Sequence, residues 1–279
     1  MDTILYATDC RKKSTSTLNY AKTLSETLNA KLIVFHIYDV PPVGISNLRP
    51  SEHLHNMAIS EQRKILEDYC LKNLNENPGK NELTYEVAQN VSISQGIIDK
   101  ITKEHIDLLL IGMKDEHSTR GFFSGNIAHK LITKNLCPIL IVPSGYGYKN
   151  IEKIVYASDF ESSDILALEK LSAIAESYNA EIEVVHIPTA GEYAAMQQME
   201  WFKELLEVQV PYKKISFHML LANNVEEGLR MHLEDENAEL LVMLERPNKG
   251  LFAILFNKDV VKKMESLVTI PILCYNSIS

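Results

Sequence analysis

The sequence has no long apolar segment. A membrane-spanning helix needs about 20 consecutive apolar residues, and the longest strongly apolar run, Leu108 to Met113, has the length of a buried strand. The chain begins Met1-Asp2-Thr3 and enters an apolar strand pattern at once, without the basic segment and apolar core of a secretory signal. We therefore predict a cytoplasmic protein that does not associate with a membrane.

An excess of basic charge and closely spaced cysteines are also missing. The formal net charge is −9 at pH 7, whereas a nucleic-acid-binding protein needs a basic surface for phosphate contacts. We therefore predict no nucleic-acid partner. The four cysteines, Cys10, Cys70, Cys137 and Cys274, show no CxxC spacing, which is typical of free thiols rather than of a disulfide framework or a zinc site.

What the sequence does contain is an internal repeat. ILYATD at 4–9 returns as IVYASD at 154–159, and NAKLIVFHI at 29–37 returns as NAEIEVVHI at 179–187, both with an offset of 150 (154 − 4 and 179 − 29). Polar and charged positions agree as well as apolar ones, so a shared need for hydrophobic strands does not explain the match. We infer an internal duplication and predict two domains, residues 1–144 and 151–279.

Strand and helix patterns alternate in each copy. The first copy has strand patterns at about 3–8, 31–37, 84–88, 107–112 and 138–142, and helix patterns at about 14–28, 53–75, 94–104 and 125–135. The second has strand patterns near 152–157, 181–187, 215–221, 239–244 and 270–274, and helices that begin near Ser163, Gly191, Asn224 and Ala253. This alternation predicts an α/β fold with a parallel sheet and helices on both faces.

The first helix illustrates the pattern. Ser14 is placed to cap its N-terminus. Leu18, Ala21, Leu24 and Leu28 recur at helical spacing and predict one buried face.

Candidate ligand-binding residues follow the strands, because open parallel sheets bind ligands beyond the carboxyl ends of their strands. Thr8 and Asp9 follow the first strand of the first copy, and Gly112 ends the fourth. Gly125-Asn126 then opens a helix, where glycine lets the backbone approach a ligand and the helix N-terminus favours an anion such as phosphate. The GxxxxGK[ST] and GxGxxG phosphate motifs are absent.

These features resemble the universal stress protein family, as a tandem two-domain member, over essentially the whole chain. Nucleotide-binding members of that family carry Gly, two residues, Gly, nine residues, and Gly followed by Ser, Thr or Asn. Gly112, Gly125 and Asn126 match this spacing, and Asp115 stands at the middle glycine. The segment NAKLIVFHIYDVP at 29–41 also matches. The resemblance implies two Rossmann-like, doubly wound, five-stranded parallel-sheet domains of strand order 3-2-1-4-5, joined through their last strands as an internal pseudo-dimer.

The resemblance also implies a site in the first domain for ATP or another adenine nucleotide, with or without Mg²⁺. Asp9 would contact the ribose or adenine, Ile37 would line the adenine pocket, and Gly112, Gly125 and Asn126 would hold the phosphates. The full predicted set is Thr8, Asp9, Ile37, Gly112, Met113, Gly125, Asn126 and Ile127.

The second copy keeps Asp159 and His186-Ile187 but lacks the glycine-rich loop. Gly250 is the only glycine between residues 240 and 259, and bulky Leu255-Phe256 precedes Asn257. We therefore predict that the second domain is a structural partner without a nucleotide.

Several residues are also compatible with purely structural roles. Asp9 recurs as Asp159 where the glycines are lost, so it is also compatible with capping a loop. The two glycines are compatible with ordinary turns. His36 and His186 end equivalent strands and are predicted to be structural. Cys10, beside Asp9, is predicted to be an inert thiol.

The function predicted from these features is that of a stress-response regulator or sensor that binds an adenine nucleotide and is not an enzyme. The alternative is a nucleotide-free scaffold that acts through protein association, and a homodimer of the chain is compatible with either. Slow ATP hydrolysis is a third hypothesis with little support, because no residue is arranged as a general base with an orienting partner.

Overall fold

The computed structural model describes residues 1–39, 52–74, 82–113, 125–134, 136–188, 194–246 and 269–276. The first half contains strands β1 (Thr3–Thr8), β2 (Lys31–Tyr38), β3 (Leu83–Gln89), β4 (Leu108–Gly112) and β5 (Ile139–Val142), and helices α1 (Thr15–Thr27), α2 (Glu52–Asn73), α3 (Ile93–Lys103) and α4 (Gly125–Lys134). The second half contains β6 (Lys153–Ala157), β7 (Glu181–His186), β8 (Ile215–Met219), β9 (Leu240–Glu245) and β10 (Ile272–Asn276), and helices α5 (Ser162–Tyr178), α6 (Ala195–Gln209) and α7 (Val225–Asp235).

The strands form one ten-stranded sheet in the order β3-β2-β1-β4-β5-β10-β9-β6-β7-β8. Within each half the neighbouring strands are parallel, and each half has the predicted order 3-2-1-4-5. The predicted fold class is therefore confirmed. The inner strands are apolar throughout because helices cover both faces of the sheet; Leu108, Leu109, Leu110 and Ile111 of β4 are all buried.

The two halves meet where β5 pairs with β10. This pairing is antiparallel and matches Ile139 with Cys274, Leu140 with Leu273 and Ile141 with Ile272. It removes two apolar strand edges that would otherwise be open to pairing with another chain. Across the same seam, the buried Asn276 side chain donates a hydrogen bond from Nδ2 to the Cys137 carbonyl at 2.8 Å.

The linker between the halves, residues 145–150, packs against both of them. The ring of Tyr148 stacks edge-on against Tyr20 of α1, with ring centroids 5.2 Å apart. Its hydroxyl donates to the Tyr178 hydroxyl of α5 at 3.0 Å. The linker therefore adds aromatic contacts beside the β5–β10 seam.

The helices follow the predicted pattern, with differences at their ends. Leu18, Ala21 and Leu24 are buried on α1 as predicted. Ser14 occupies the N-cap position of α1, but its side chain makes no capping hydrogen bond. It ends a short 3₁₀ turn, Lys12–Ser14, with φ of −86° and ψ of 0° instead of the extended conformation of a capping residue, and its hydroxyl donates to Asp9. Helix α6 begins at Ala195, later than the predicted start near Gly191. That residue, and the helix predicted to begin near Ala253, lie outside the described residues.

Among the described helices, none is both long enough and apolar enough to cross a membrane.

Candidate functional site

The candidate site of the first half lies where β1 and β4 end side by side. Strand order reverses here, because β1 pairs with β2 on one side and with β4 on the other. Ala7 pairs with Ile111. The last residues of the two strands, Thr8 and Gly112, therefore lie side by side. A reversal of this kind forms the crevice in which open α/β sheets bind ligands.

The chain turns sharply after β1. Cys10 adopts a left-handed conformation with φ of 58°, and its backbone amide donates to Thr8 Oγ1 at 3.1 Å. The Tyr6 hydroxyl, 3.3 Å away, also donates to Thr8 Oγ1. Thr8, a predicted site residue, is buried. Its hydroxyl oxygen accepts both of these hydrogen bonds and so helps to fix the turn.

Cys10 itself is partly buried beside this turn. Burial, with smaller contributions from Cys70 and Asp9, raises the pKa of the Cys10 thiol to about 12. Because the thiolate is the reactive form, this raised pKa agrees with the prediction that Cys10 is an inert thiol.

Asp9 is held in one orientation by its own loop. Its Oδ1 accepts hydrogen bonds from the Ser14 hydroxyl at 2.6 Å and from the Arg11 amide at 3.2 Å. Its Oδ2 lies 3.5 Å from Arg11 Nε, and 12% of the side chain is exposed. Asp9 therefore caps the loop through Oδ1, and its Oδ2 lies beside the exposed Arg11 side chain at the end of β1.

Gly112 is required by helix packing. A Cβ built at this position would lie 2.9 Å from Thr17 Oγ1 of α1, closer than real Cβ contacts come. The missing side chain therefore lets α1 lie directly against the end of β4. The next residue, Met113, continues the ladder by donating from its amide to the Val142 carbonyl at 2.7 Å.

Ile37 is also accounted for by packing. It is buried, and a Cβ at Gly96 of α3 would lie 2.9 Å from its Cδ1 atom. In the second half the equivalent Ile187 stands in the same relation to Gly228 of α7, at 3.2 Å. The two copies thus use one helix-to-strand contact, and it does not depend on a ligand.

The strand-end histidines repeat in the same way. His36 Nδ1 lies 2.9 Å from the Thr8 carbonyl oxygen, and His186 Nδ1 lies 2.7 Å from the Ser158 carbonyl oxygen. Both rings are buried. A structural role for these histidines explains why both copies keep them.

Only part of the predicted phosphate-binding segment lies among the described residues. Gly125 begins α4 as predicted. Ile127 is partly buried and packs on the same face of the sheet as Ile37. Asp115 and the side chain of Asn126 lie outside the described residues.

Basic residues surround the turn after β1. Arg11, Lys12 and Lys13 follow Asp9 after Cys10. The Arg11 side chain is 54% exposed, and Lys12 is exposed. This local positive charge, in a chain of net charge −9, lies where an anionic ligand would approach.

Comparison with known proteins identifies the family of this chain. The model of the universal stress protein family matches residues 1–143, which is more than half of the chain. The chain belongs to the universal stress protein family. No curated protein matches it.

Solved structures share the fold of this universal stress protein over its full length. A universal stress protein from Archaeoglobus fulgidus DSM 4304 is 12% identical with a TM-score of 0.66, and the match covers 99% of this chain and 96% of that one. A functionally unknown protein from Pseudomonas aeruginosa PAO1 is 13% identical with a TM-score of 0.61, covering 99% and 92%. The cytoplasmic domain of a prokaryotic cation chloride cotransporter is 13% identical with a TM-score of 0.57, covering 99% and 95%. At these identities the similarity establishes the fold alone.

The register of the second half identifies the counterpart of Gly112. Ile4 pairs with Leu108 and Ile154 with Leu240, an offset of 132 (240 − 108), so Leu244 corresponds to Gly112 (112 + 132). Thr17 corresponds to Ala167 through the offset of 150 (167 − 17). Leu244 and Ala167 lie in one buried cluster. A larger residue on the strand is thus matched by a smaller one on the helix.

An arginine fills the second crevice of this universal stress protein. Arg246, directly after β9, places Nη1 at 2.6 Å from Asp159 Oδ2 and Nη2 at 2.8 Å from Asp164 Oδ1. Its Nε lies 3.3 Å from Glu161 Oε2, and 11% of its side chain is exposed. The counterpart of Asp9 is therefore engaged by a cation from the same chain.

Sequence reasoning missed Arg246. The missing glycines of the second copy predict the loss of its nucleotide site, and the described structure adds an ion-pair cluster at the same place. The available signal was the change from Arg11 and Ser14 in the first copy to Glu161 and Asp164 at the equivalent positions of the second. That change adds two carboxylates at the N-terminus of α5 and indicates a need for a nearby cation.

Proposed function

We propose that this protein binds an adenine nucleotide in the crevice at the ends of β1 and β4, and that it acts as a cytoplasmic, non-enzymatic stress-response sensor or regulator. The observation that carries the proposal is the fixed Asp9 carboxylate at the reversal of strand order. Ser14 holds one of its oxygens, and the other lies 3.5 Å from Nε of the exposed Arg11 side chain. A carboxylate fixed in this way suits the hydroxyl groups of a ribose.

The charges around the two crevices support an asymmetric use of the halves. Arg11 and Lys12 border the first crevice, whereas Asp159, Glu161 and Asp164 border the second. An anionic phosphate chain is attracted by the first set and repelled by the second. The proposed ligand is ATP or another adenine nucleotide, with Mg²⁺ able to bridge phosphate and carboxylate oxygens.

Isothermal titration calorimetry with ATP, ADP and AMP tests the proposal. Asp9→Asn should weaken the favoured nucleotide by about 10- to 100-fold, because a hydrogen bond to a charged group contributes about 1.5–3 kcal/mol. The matched variant Asp159→Asn should leave the affinity unchanged. No heat of binding with any nucleotide, or equal losses in the two variants, would contradict the proposal.

A nucleotide-free scaffold is the second candidate, and one observation favours it. The contact of Gly112 with Thr17 accounts for this glycine without a ligand. Mass spectrometry of the purified protein after denaturation separates the two candidates, because a sensor is expected to release a bound nucleotide and a scaffold is not.

We further propose that domains 1–144 and 151–279 act as an internal pseudo-dimer. The antiparallel pairing of β5 with β10 supports this arrangement. The two domains, expressed separately, should each self-associate through the exposed strand, which sedimentation velocity would detect. Monomeric domains at high concentration would contradict it.

A further inference from the structure

We propose that the crevice at the ends of β6 and β9 is a guanidinium-binding site that the chain fills with its own Arg246. The inference concerns the second half and does not depend on nucleotide binding by the first. It rests on the contacts of the guanidinium group, on the burial of its partners and on the difference between the two copies.

The guanidinium group is hydrogen-bonded through its two terminal nitrogens, and its Nε makes an ion-pair contact without a hydrogen bond among the described residues. Two nitrogens contact separate carboxylates, Asp159 at 2.6 Å and Asp164 at 2.8 Å, and the third lies 3.3 Å from Glu161. A planar fork of donors matches such an arrangement, whereas an ammonium group is a single point of charge. The geometry is therefore selective for the shape of guanidinium as well as for its charge.

Asp164 is the buried base of the site. Its side chain is 1% exposed and also accepts hydrogen bonds from the Tyr156 and Ser158 hydroxyls, both at 2.8 Å. Such a set of donors fixes the carboxylate before any cation arrives. A buried carboxylate of this kind needs a cationic partner as well, because an unpaired buried charge is costly.

The electrostatics of Asp159 agree with this dependence. Burial raises the pKa of the Asp159 carboxyl, and Arg246 acts in the opposite direction. Asp164, His186 and Glu161 also face it. Without the guanidinium group, three carboxylates would share one crevice.

The first copy does not contain these elements. Ser14 stands at the position of Asp164 and Arg11 at the position of Glu161. In the first copy Asp9 is held by the Ser14 hydroxyl and the Arg11 amide, and the Arg11 side chain, which is exposed, lies 3.5 Å from it through Nε. The acidic residues and Arg246 therefore form a feature of the second copy alone among the described residues.

The site has a direct consequence for ligands of the second half. The guanidinium group lies against the carboxylate that corresponds to Asp9, so the position of a ribose is taken. An Arg246→Ala variant would not gain a nucleotide site either, because the remaining carboxylates repel phosphate. The second crevice therefore favours cations over anions both with Arg246 in place and in the Arg246→Ala variant.

Chemical rescue tests the proposal on the full-length protein. Arg246→Ala should lower Tm by roughly 5–10 °C, as expected when one partner of a buried charge cluster is removed. Millimolar ethylguanidinium should then raise the Tm of this variant along a saturable curve. It should not raise the Tm of the unmodified protein, in which the site is filled.

Three controls test whether the rescue is specific for guanidinium and for the position of Arg246. Ethylammonium at the same concentration and ionic strength should not rescue the variant, because it lacks the fork of donors. Arg246→Ala combined with Asp164→Asn should lose the rescue by ethylguanidinium. Arg230→Ala removes the α7 arginine that pairs with the exposed Glu234, and ethylguanidinium should not affect it.

Each outcome decides the proposal. An unchanged Tm for Arg246→Ala, or equal rescue by ethylammonium, would overturn it. If Arg246→Ala does not fold, refolding with ethylguanidinium is the measurement: recovery of folded protein supports the site, and failure to recover overturns it.

Discussion

Gly112 lies so close to Thr17 that a single added carbon at position 112 would stand 2.9 Å from the threonine hydroxyl. The same carbon would stand 3.5 Å from Thr17 Cβ, which is an ordinary contact. One side chain on α1 therefore dictates the residue at the end of β4. The pair offers a way to separate packing from ligand binding.

We expect Gly112→Ala to lower the free energy of unfolding by about 1–3 kcal/mol, the usual range for overpacking. Thr17→Ala removes the atoms that clash, so Gly112→Ala in the Thr17→Ala background should cost little. Urea unfolding of the four proteins measures the coupling. Additive losses would show that Thr17 is not the reason for the glycine.

Asn276 provides a test of the seam between the halves. Asn276→Ala removes the 2.8 Å hydrogen bond to the Cys137 carbonyl and leaves that buried acceptor without its Asn276 partner. We expect a loss of about 1–3 kcal/mol in the free energy of unfolding. The control is Asn19→Ala, because Asn19 is exposed on α1 and bonds within its own helix. Equal effects in thermal unfolding would argue that the seam bond contributes nothing particular.

Glu245 should make the stability depend on pH. Burial raises its pKa from 4.5 to about 7, and among the described residues its Oε2 atom has no hydrogen-bond partner. Because the folded-state pKa is the higher one, the stability contributed by protonation is fully present below about pH 4.5. It is lost as the pH rises through about 7.

Glu245→Gln should therefore raise the free energy of unfolding at about pH 8 and leave it nearly unchanged at about pH 4.5. Because solvent reaches part of the side chain and screens its charge, we expect a gain of about 1 kcal/mol. Denaturant unfolding at both pH values measures it. Glu207→Gln, at an exposed position of α6, is the control. A gain that is the same at both pH values would contradict the assignment.

Asp115 lies outside the described residues, and a prediction from the sequence applies to it. A carboxylate about 5 Å from a phosphate oxygen, at an effective dielectric of about 20, repels it by roughly 3 kcal/mol. We expect weak or magnesium-dependent ATP binding, with AMP affected less. Asp115→Gly should raise the affinity for ATP, measured by calorimetry with and without Mg²⁺. Tight magnesium-independent binding by the unmodified protein would show that the carboxylate points away from the phosphates.

The duplication and the positions of the strands could be predicted from the sequence because they rest on local patterns, whereas the strand order was implied by the resemblance to the universal stress protein family. Apolar runs such as Leu108–Ile111 are followed along the chain by turns and helix patterns, and copies such as ILYATD and IVYASD fix equivalent positions. The predicted strands therefore agree with the structure to within two residues at most ends.

The details of both crevices depend on contacts that local patterns do not record. Ser14 was predicted to cap α1, yet it ends a short 3₁₀ turn, and its backbone is not in the extended conformation that a capping residue needs. Arg246 reaches Asp159 across 87 residues of sequence. The sequence shows which charges are present but not which of them meet.

The antiparallel pairing of β5 with β10 also sets the direction in which the two crevices face. All strands of a half point the same way, and the two halves point in opposite ways. The first crevice therefore opens at one end of the strands, and the Arg246 crevice opens at the opposite end. A binding partner that covers one opening leaves the other free.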